Sequence, residues 1–328
     1  MLHLRNRDVN KKASGSGFTL STQVVVIASI AWAVIALLFF LLFSVPIPGE
    51  GRPSWYTPVT YVLENMALIW ASLLCFRNWR SSQIVSGRTV WLLFSLGIFS
   101  YFIGNLILAQ WELGWGKTPD VSPADLFFLL TYVLLGIGMG LAVVSRKLSL
   151  SAMQWLILGL ILILGIVVAY FVGFAPESAT EVPPPVLEQA APAALPTEAP
   201  AAIAPEAPDT SAAPSWAIAL EQQLEPFSDF VLKLYIIGDI ILVVMATMLL
   251  LAFWGGKSSL PWRFIAAAAF SFYIADLWLF YALKYISDYE TGALLEVFWI
   301  FSGCLFAIGA ALEYDFSTRS RRGSRRRT

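Results

Sequence analysis

The stretch that decides the fold is Gln23–Val45, which reads QVVVIASIAWAVIALLFFLLFSV and contains no charged side chain. A helix rises 1.5 Å per residue, so about 20 apolar residues cross a hydrocarbon core of about 30 Å. Seven further runs of this kind follow, each bounded by charge, glycine or proline: Tyr56–Phe76, Thr89–Gln110, Pro123–Val144, Leu150–Phe174, Phe227–Trp254, Phe264–Leu283 and Gly292–Tyr314. The sequence therefore predicts an all-α polytopic membrane bundle of eight transmembrane helices.

The composition supports this prediction. Of the 328 residues, 58% are hydrophobic and only 13% are charged, whereas roughly a quarter are charged in an average soluble domain. The apolar runs lack the period of two that a lipid-facing barrel strand needs and are about twice as long as such a strand. The first run is too long for the apolar region of a signal peptide, and we expect an uncleaved anchor helix.

The distribution of basic residues predicts the orientation of the bundle. With a cytoplasmic N-terminus, 17 of the 21 lysines and arginines fall in cytoplasmic segments, and only Arg52, Lys117, Lys233 and Lys284 do not. Positive charge concentrates on the cytoplasmic side of membrane proteins. We therefore expect a multi-pass membrane protein with both termini in the cytoplasm.

The chain is predicted to consist of two membrane units and two tails. A cytoplasmic tail covers 1–20, a first four-helix unit covers 21–149, a second covers 150–314, and a polybasic tail covers 315–328. The second unit contains an insertion, 175–215, with 10 of the 18 prolines, six acidic residues and no lysine or arginine. Such a composition predicts a disordered extracytoplasmic segment. The stretch Trp216–Leu224 that follows is predicted to form a short amphipathic helix.

An internal repeat relates the two units. Residues Trp91–Ala142 align without a gap with the residues 171 positions later, with eleven identities in 52 positions. Two rare polar matches are more informative, because Asn105 falls on Asp276 and Asp125 falls on Glu296. At an offset of 174, Tyr61 falls on Tyr235 and Asn65 on Asp239. An even number of helices per unit predicts parallel repeats, related by an axis along the membrane normal.

Polar and ionisable residues within the spans are the candidate site, because such residues are costly in a membrane and usually face the bundle interior. The candidates for binding a ligand or cation all map to the outer half of the membrane: Glu64, Asn65, Asn105, Asp239 and Asp276. Three interpretations stay open: interhelical hydrogen bonding, an outward-facing pocket for a cation or small polar ligand, and a proton or ion path. Asp125 and Glu296 open their helices, and we expect them to cap free backbone N–H groups.

Several chemistries are excluded or disfavoured. The single histidine, His3, precedes the first span, which excludes a histidine-ligated haem or metal site inside the membrane. Cys75 and Cys304 lie in apolar runs and are predicted to be buried, inert thiols. The sequence contains no catalytic triad and no phosphate-binding loop. We expect no enzymatic activity, no catalytic residues, no metal and no cofactor.

The polybasic tail predicts contact with anionic lipid rather than with nucleic acid. A basic residue close to an anionic membrane surface contributes about 1 kcal/mol to binding. The arginines expected to do so are Arg321, Arg322, Arg325, Arg326 and Arg327.

Two short segments carry a resemblance to a known family. They are SPADLFFLLTY at Ser122–Tyr132 and GALLEVFW at Gly292–Trp299. With these segments the chain resembles the eight-helix membrane input regions of bacterial signalling proteins, which precede PAS, histidine-kinase or diguanylate-cyclase modules. Only 14 residues follow Tyr314 here, so the resemblance implies a sensor, scaffold or accessory subunit of the bacterial inner membrane that acts through a protein partner. The alternative function is transport of an ion or small molecule through the same acidic cluster.

Overall fold

A computed structural model describes residues 21–47, 51–145, 151–174, 213–253, 259–286 and 289–325, without the side chains of 173, 174 and 320–325. The predicted tail 1–20 and nearly all of the insertion 175–215 lie outside the described residues. The side chains of the five tail arginines named above lie outside them as well.

Within these ranges the chain forms α-helices joined by short turns and loops, and the only β-type pairing is an isolated bridge between Ile47 and Gly51. The helices are α1 (Thr22–Phe43), α2 (Tyr56–Arg80), α3 (Arg88–Ala109), α4 (Ala124–Val144), α5 (Ala152–Ala169), α6 (Ser215–Leu224), α7 (Ser228–Ala252), α8 (Leu260–Tyr285) and α9 (Val297–Arg325). Eight helical segments are long and apolar enough to cross a membrane. The all-α fold with eight spans is thus confirmed, and so is the short helix, α6, which leads through a 3₁₀ turn into α7.

Local sequence explains where several helices begin and end. The side chain of Ser21 accepts a hydrogen bond from the backbone N–H of Val24 and so starts α1. Ser151 and Gln154 form a capping box at the start of α5, in which each side chain satisfies the other's free N–H group. Both α3 and α5 end in a π-helical turn, Gln110–Gly114 and Tyr170–Phe174.

Six helices form a closed ring in the order α2, α3, α4, α7, α8, α9, with α9 returning to α2. Outside this ring, α1 packs mainly on α9, and α5 packs mainly on α7. Around the ring, α2, α3 and α4 are adjacent in the same order as α7, α8 and α9. The predicted duplication requires this order. Positions of α1 and α5 do not correspond in this way, and the repeat stays a prediction.

The ring has two ends, named here for residues that lie at them. At the Arg77 end, the Arg77 guanidinium stacks 4.2 Å above the ring of Tyr314. The Asn78 side chain donates a hydrogen bond of 2.8 Å to the carbonyl oxygen of Ala310, which ties α2 to α9. Cys75 near this end and Cys304 deeper in the bundle are buried free cysteines, as predicted. The opposite end, where α2, α4, α7 and α9 begin, is the Trp111 end and contains the candidate site.

Candidate functional site

Two of the predicted acidic residues form a pair that shares one tyrosine hydroxyl. The hydroxyl oxygen of Tyr132 on α4 lies 3.0 Å from Oδ1 of Asp239 on α7 and 2.5 Å from Oδ2 of Asp276 on α8. Asp239 is 3% exposed and Asp276 is 6% exposed. This contact joins three helices of the ring at one buried point.

A fourth helix contributes to the pair. The indole Nε1 of Trp299 on α9 donates a hydrogen bond of 2.7 Å to Oδ1 of Asp276. Both oxygens of Asp276 are therefore occupied by aromatic donors from other helices. Tyrosine and tryptophan suit this position, because each combines a large apolar body with one polar group.

The hydrogen-bond count constrains the protons of the pair. The Tyr132 hydroxyl has one hydrogen and can donate it to only one of the two carboxyl groups. Its second contact is favourable when the other carboxyl group carries a proton and donates it to the phenolic oxygen. Two buried carboxyl groups at such close range share a proton rather than both ionise.

Asp125 lies in the first turn of α4. Its Oδ2 accepts a hydrogen bond of 2.7 Å from the backbone N–H of Ser122, just before α4. Its other oxygen, Oδ1, accepts a hydrogen bond of 2.6 Å from the hydroxyl of Tyr235 on α7. Asp125 thus also links α4 to α7.

Glu296 ends the 3₁₀ turn that leads into α9 and is buried. Its Oε2 accepts a hydrogen bond of 2.6 Å from the backbone N–H of Gly292. The Tyr289 hydroxyl donates to Oε1, and the Trp278 indole donates to Tyr289 in turn. Burial raises the pKa of the Tyr289 hydroxyl and the Glu296 carboxylate raises it further, so this tyrosine stays protonated and able to donate.

The other three candidates are less completely hydrogen-bonded. Oδ1 of Asn65 is buried without a partner, and Asn105 is only 4% exposed. The Asn65 side chain donates only to the carbonyl oxygen of Tyr61 on its own helix, at 2.9 Å. The Asn105 side chain lies within hydrogen-bonding reach of the Glu64 carboxyl group, across α2 and α3. The structure therefore divides the predicted cluster into a part joined by aromatic donors and a part formed by Glu64, Asn65 and Asn105.

The sequence analysis missed four contributors to this region: Arg52, Glu112, Tyr132 and Trp299. Oε2 of Glu112 accepts a hydrogen bond of 2.8 Å from the hydroxyl of Tyr61. Tyr132 stands in the middle of an apolar span, and a buried hydroxyl there needs an acceptor. That requirement was the available signal for Tyr132, whereas no pattern pointed to Glu112 or Trp299.

Arg52 is the basic residue that lies against the cluster, and Lys233, which the sequence places near Asp239, is exposed. Arg52 donates from Nε to the carbonyl oxygen of Ser44 at 2.8 Å. Its Nη1 donates to the carbonyl oxygens of Glu290 at 3.0 Å and Thr291 at 2.9 Å. The guanidinium therefore fastens the loop between α1 and α2 to the segment before α9.

Open space near the cluster is small. A cavity of about 10 Å³, enough for about one water molecule, lies between α5, α7 and α8 and is lined in part by Asp239 and Tyr273. A larger polar depression of about 290 Å³ lies beside α6, where Lys117 pairs with Glu221 at 2.5 Å. Among the described residues, no group of three or more histidine, cysteine, aspartate or glutamate side chains is placed to hold a metal ion.

No family model, no curated protein and no solved structure matches this chain. The class that the fold defines is an all-α protein with eight helices able to span a membrane. The function therefore has to be argued from the buried polar cluster itself.

Proposed function

We propose that this chain is a non-enzymatic sensor, scaffold or accessory subunit of the bacterial inner membrane, with both termini in the cytoplasm. The observation that carries the proposal is the contact of Tyr132 with both Asp239 and Asp276. In this contact, two buried acidic side chains join α7 and α8 to α4.

The surrounding contacts support the same conclusion. Asp125, Asp276 and Glu296 each use both carboxyl oxygens as acceptors for donors of the protein. Interhelical hydrogen bonds of this kind hold membrane helices together. A transporter usually places broken helices at the midplane around its site, whereas the π-helical turns here follow the ends of α3 and α5.

A sensor or accessory subunit acts through a partner, so the test is a defined complex. The tagged protein would be cross-linked in membranes of its own host, purified in mild detergent and analysed by mass spectrometry. The proposal expects one membrane or cytoplasmic protein at a fixed stoichiometry, which the purified chain binds again after separation. Absence of such a protein, together with solute flux in proteoliposomes, would overturn the proposal.

The proposed orientation has its own test. Reporters that are active only in the cytoplasm or only outside it would be fused after residue 328 and inserted at Thr118. We expect the cytoplasmic reporter to work at residue 328 and the external one at Thr118. The opposite pattern would contradict the orientation that the basic residues predict.

The tail arginines are proposed to bind anionic lipid. Vesicles of neutral lipid and vesicles with added phosphatidylserine would be compared for binding of a peptide covering 315–328. We expect binding only to the anionic vesicles, and weaker binding at high salt. Equal binding to both would remove lipid from the proposed partners.

Transport of an ion or small molecule is the second candidate, and the buried, unpartnered Oδ1 of Asn65 beside Glu64 is the observation that favours it. The purified chain would be reconstituted in proteoliposomes and assayed for sodium, potassium and proton flux. A flux that Glu64→Gln abolishes and Glu225→Gln retains would establish this second function. No flux above that of empty liposomes would eliminate it.

A further inference from the structure

The two carboxyl groups of the acidic pair also contact each other. Asp239 on α7 and Asp276 on α8 lie within hydrogen-bonding reach of one another, in addition to sharing the hydroxyl of Tyr132. Two ionised carboxylates offer only acceptors and repel each other at this range. The contact is favourable when one carboxyl group carries a proton and donates it to the other, so the geometry of the pair calls for one bound proton.

The surroundings of the pair are neutral or acidic. Within the described residues, neither Asp239 nor Asp276 belongs to an ion pair. The titratable groups that act on the pair are one carboxyl group on α2 and tyrosine hydroxyls on α3, α4, α7 and α8: Glu64, Tyr101, Tyr132, Tyr235 and Tyr273. From α9 the neutral indole of Trp299 donates to Asp276. Loss of the shared proton would therefore leave two buried negative charges without a counter-charge, which is costly.

A route for the proton lies beneath α5. Asp239 lines the cavity between α5, α7 and α8, which has room for about one water molecule. The other lining residues continue from Asp239 toward the Trp111 end: Tyr273, Leu277 and Phe280 on α8, Gly165 and Ala169 on α5, and Val172 in the π-helical turn after α5. Because α5 lies outside the ring and packs mainly on α7, a single peripheral helix covers this cavity.

We propose that the pair is the ligand site of the sensor and that its ligand is one proton, which enters through this cavity from the Trp111 end. With the proton bound, the carboxyl groups and the Tyr132 hydroxyl join α4, α7 and α8. Release passes the proton to water in the cavity and leaves two carboxylates, which lose their mutual hydrogen bond and repel each other. The contact of α7 with α8 is then weaker, so the bundle responds to the proton concentration at that end. This inference rests on the proposed sensor function and names its ligand.

The first experiment follows thermal unfolding of the purified full chain in detergent from about pH 5 to about pH 9. The folded pair keeps a proton that the unfolded chain releases, so the unfolding temperature of the wild type should fall as the pH rises. In Asp239→Asn an amide permanently replaces the protonated group, and the fall should be smaller by about 3 °C or more. Asp276→Asn should behave in the same way. The matched control Asp229→Asn, at an exposed position on α7, should fall as the wild type does.

Infrared spectroscopy of the same samples observes the proton itself, and it keeps the test valid if a variant unfolds early for another reason. A protonated carboxyl group has a C=O stretching band that a carboxylate lacks. At neutral pH the wild type and Asp229→Asn should show a component of this band that both Asp239→Asn and Asp276→Asn have lost. A spectrum without such a component, or an equal pH dependence of unfolding in all four proteins, would overturn the proposal.

The entry route has its own test, because the same band shifts when deuterium replaces the proton in heavy water. Gly165→Ala adds a methyl group to the lining of the cavity, where its Cβ atom would lie 3.9 Å from the Ile240 side chain, an ordinary contact. This variant should slow the exchange roughly tenfold. Gly159→Ala on the same helix is the matched control, since a Cβ atom there meets nothing within 4 Å. Equal exchange rates in the two variants would overturn the proposed entry beneath α5.

The two proposals fail separately. A stoichiometric protein partner, together with a pH dependence that Asp239→Asn and Asp276→Asn leave unchanged, would remove the proton and leave the sensor or accessory subunit standing. A proton that both variants remove, in a chain without any partner, would keep the proton site and count against the proposed function.

Discussion

The hydroxyl oxygen of Tyr132 on α4 lies 2.5 Å from Oδ2 of Asp276 on α8, although the two residues are 144 positions apart in the chain. The same hydroxyl contacts Asp239 on α7, so one side chain of the first predicted unit closes the acidic pair of the second. The two units are therefore joined at this point by a buried polar contact as well as by apolar packing.

Removing that hydroxyl should weaken the bundle. Tyr132→Phe keeps the ring but takes away the contact with Asp239 and Asp276. We expect the free energy of unfolding in detergent to fall by roughly 1–2 kcal/mol, the range for interhelical hydrogen bonds in membranes. Thermal denaturation should show this, and Tyr281→Phe, at a 45% exposed position on α8, should not change the unfolding temperature.

Replacing either acid of the pair by its amide should be tolerated. In Asp276→Asn, the remaining oxygen can accept from Trp299, and the new amide can donate to the oxygen of Tyr132, which then donates to Asp239. We expect each single variant, Asp239→Asn or Asp276→Asn, to stay within about 1 kcal/mol of the wild type.

The comparison for this prediction is Asp276→Leu, which has a similar shape and no acceptor. It leaves the buried indole N–H of Trp299 without a partner and should cost roughly 1–3 kcal/mol. Equal losses in Asp276→Asn and Asp276→Leu, measured by thermal unfolding, would show that the pair needs a negative charge rather than hydrogen bonds.

The contact of Gly238 with Tyr132 makes a separate prediction. In Gly238→Ala the new methyl group would lie 2.6 Å from the tyrosine ring, and overpacking of this size costs about 1–3 kcal/mol. Gly136→Ala on α4 is the matched control, because a Cβ atom there meets nothing within 4 Å. Its unfolding temperature should equal or exceed that of the wild type, since alanine favours a helix over glycine.

A double variant tests whether the loss in Gly238→Ala comes from that contact. Combining it with Tyr132→Leu removes the ring that the methyl group would strike. The two changes should then couple by about 1 kcal/mol or more in a double-mutant cycle. Strictly additive effects would place the strain elsewhere.

Arg52 should stabilise the loops at the Trp111 end through its carbonyl contacts and not through its ion pair. Arg52→Ala removes three hydrogen bonds from a charged donor, and we expect a loss of roughly 2 kcal/mol. Its distance to the Glu290 carboxylate is 3.8 Å, and the Glu290 side chain is 65% exposed. Glu290→Ala should therefore leave the unfolding temperature unchanged. Equal losses in the two variants would show that the ion pair is what matters.

The sequence by itself determined the eight spans and most of their ends. Runs such as Gln23–Val45 are long, apolar and without charge, and a helix is the way for such a run to satisfy its own backbone in a membrane. The contacts of Asp125 with Ser122 and of Glu296 with Gly292 are also local, because each joins residues three or four positions apart.

Only the tertiary structure decided how the polar residues are partnered. Tyr132 meets Asp276, and Trp299 meets the same carboxyl group, because the ring brings α4, α8 and α9 together. No periodicity within a span encodes which helix lies opposite. The predicted cluster of Glu64, Asn65, Asn105, Asp239 and Asp276 was one set in the sequence, and packing divided it, since Asp239 and Asp276 meet the hydroxyl of Tyr132 from another helix.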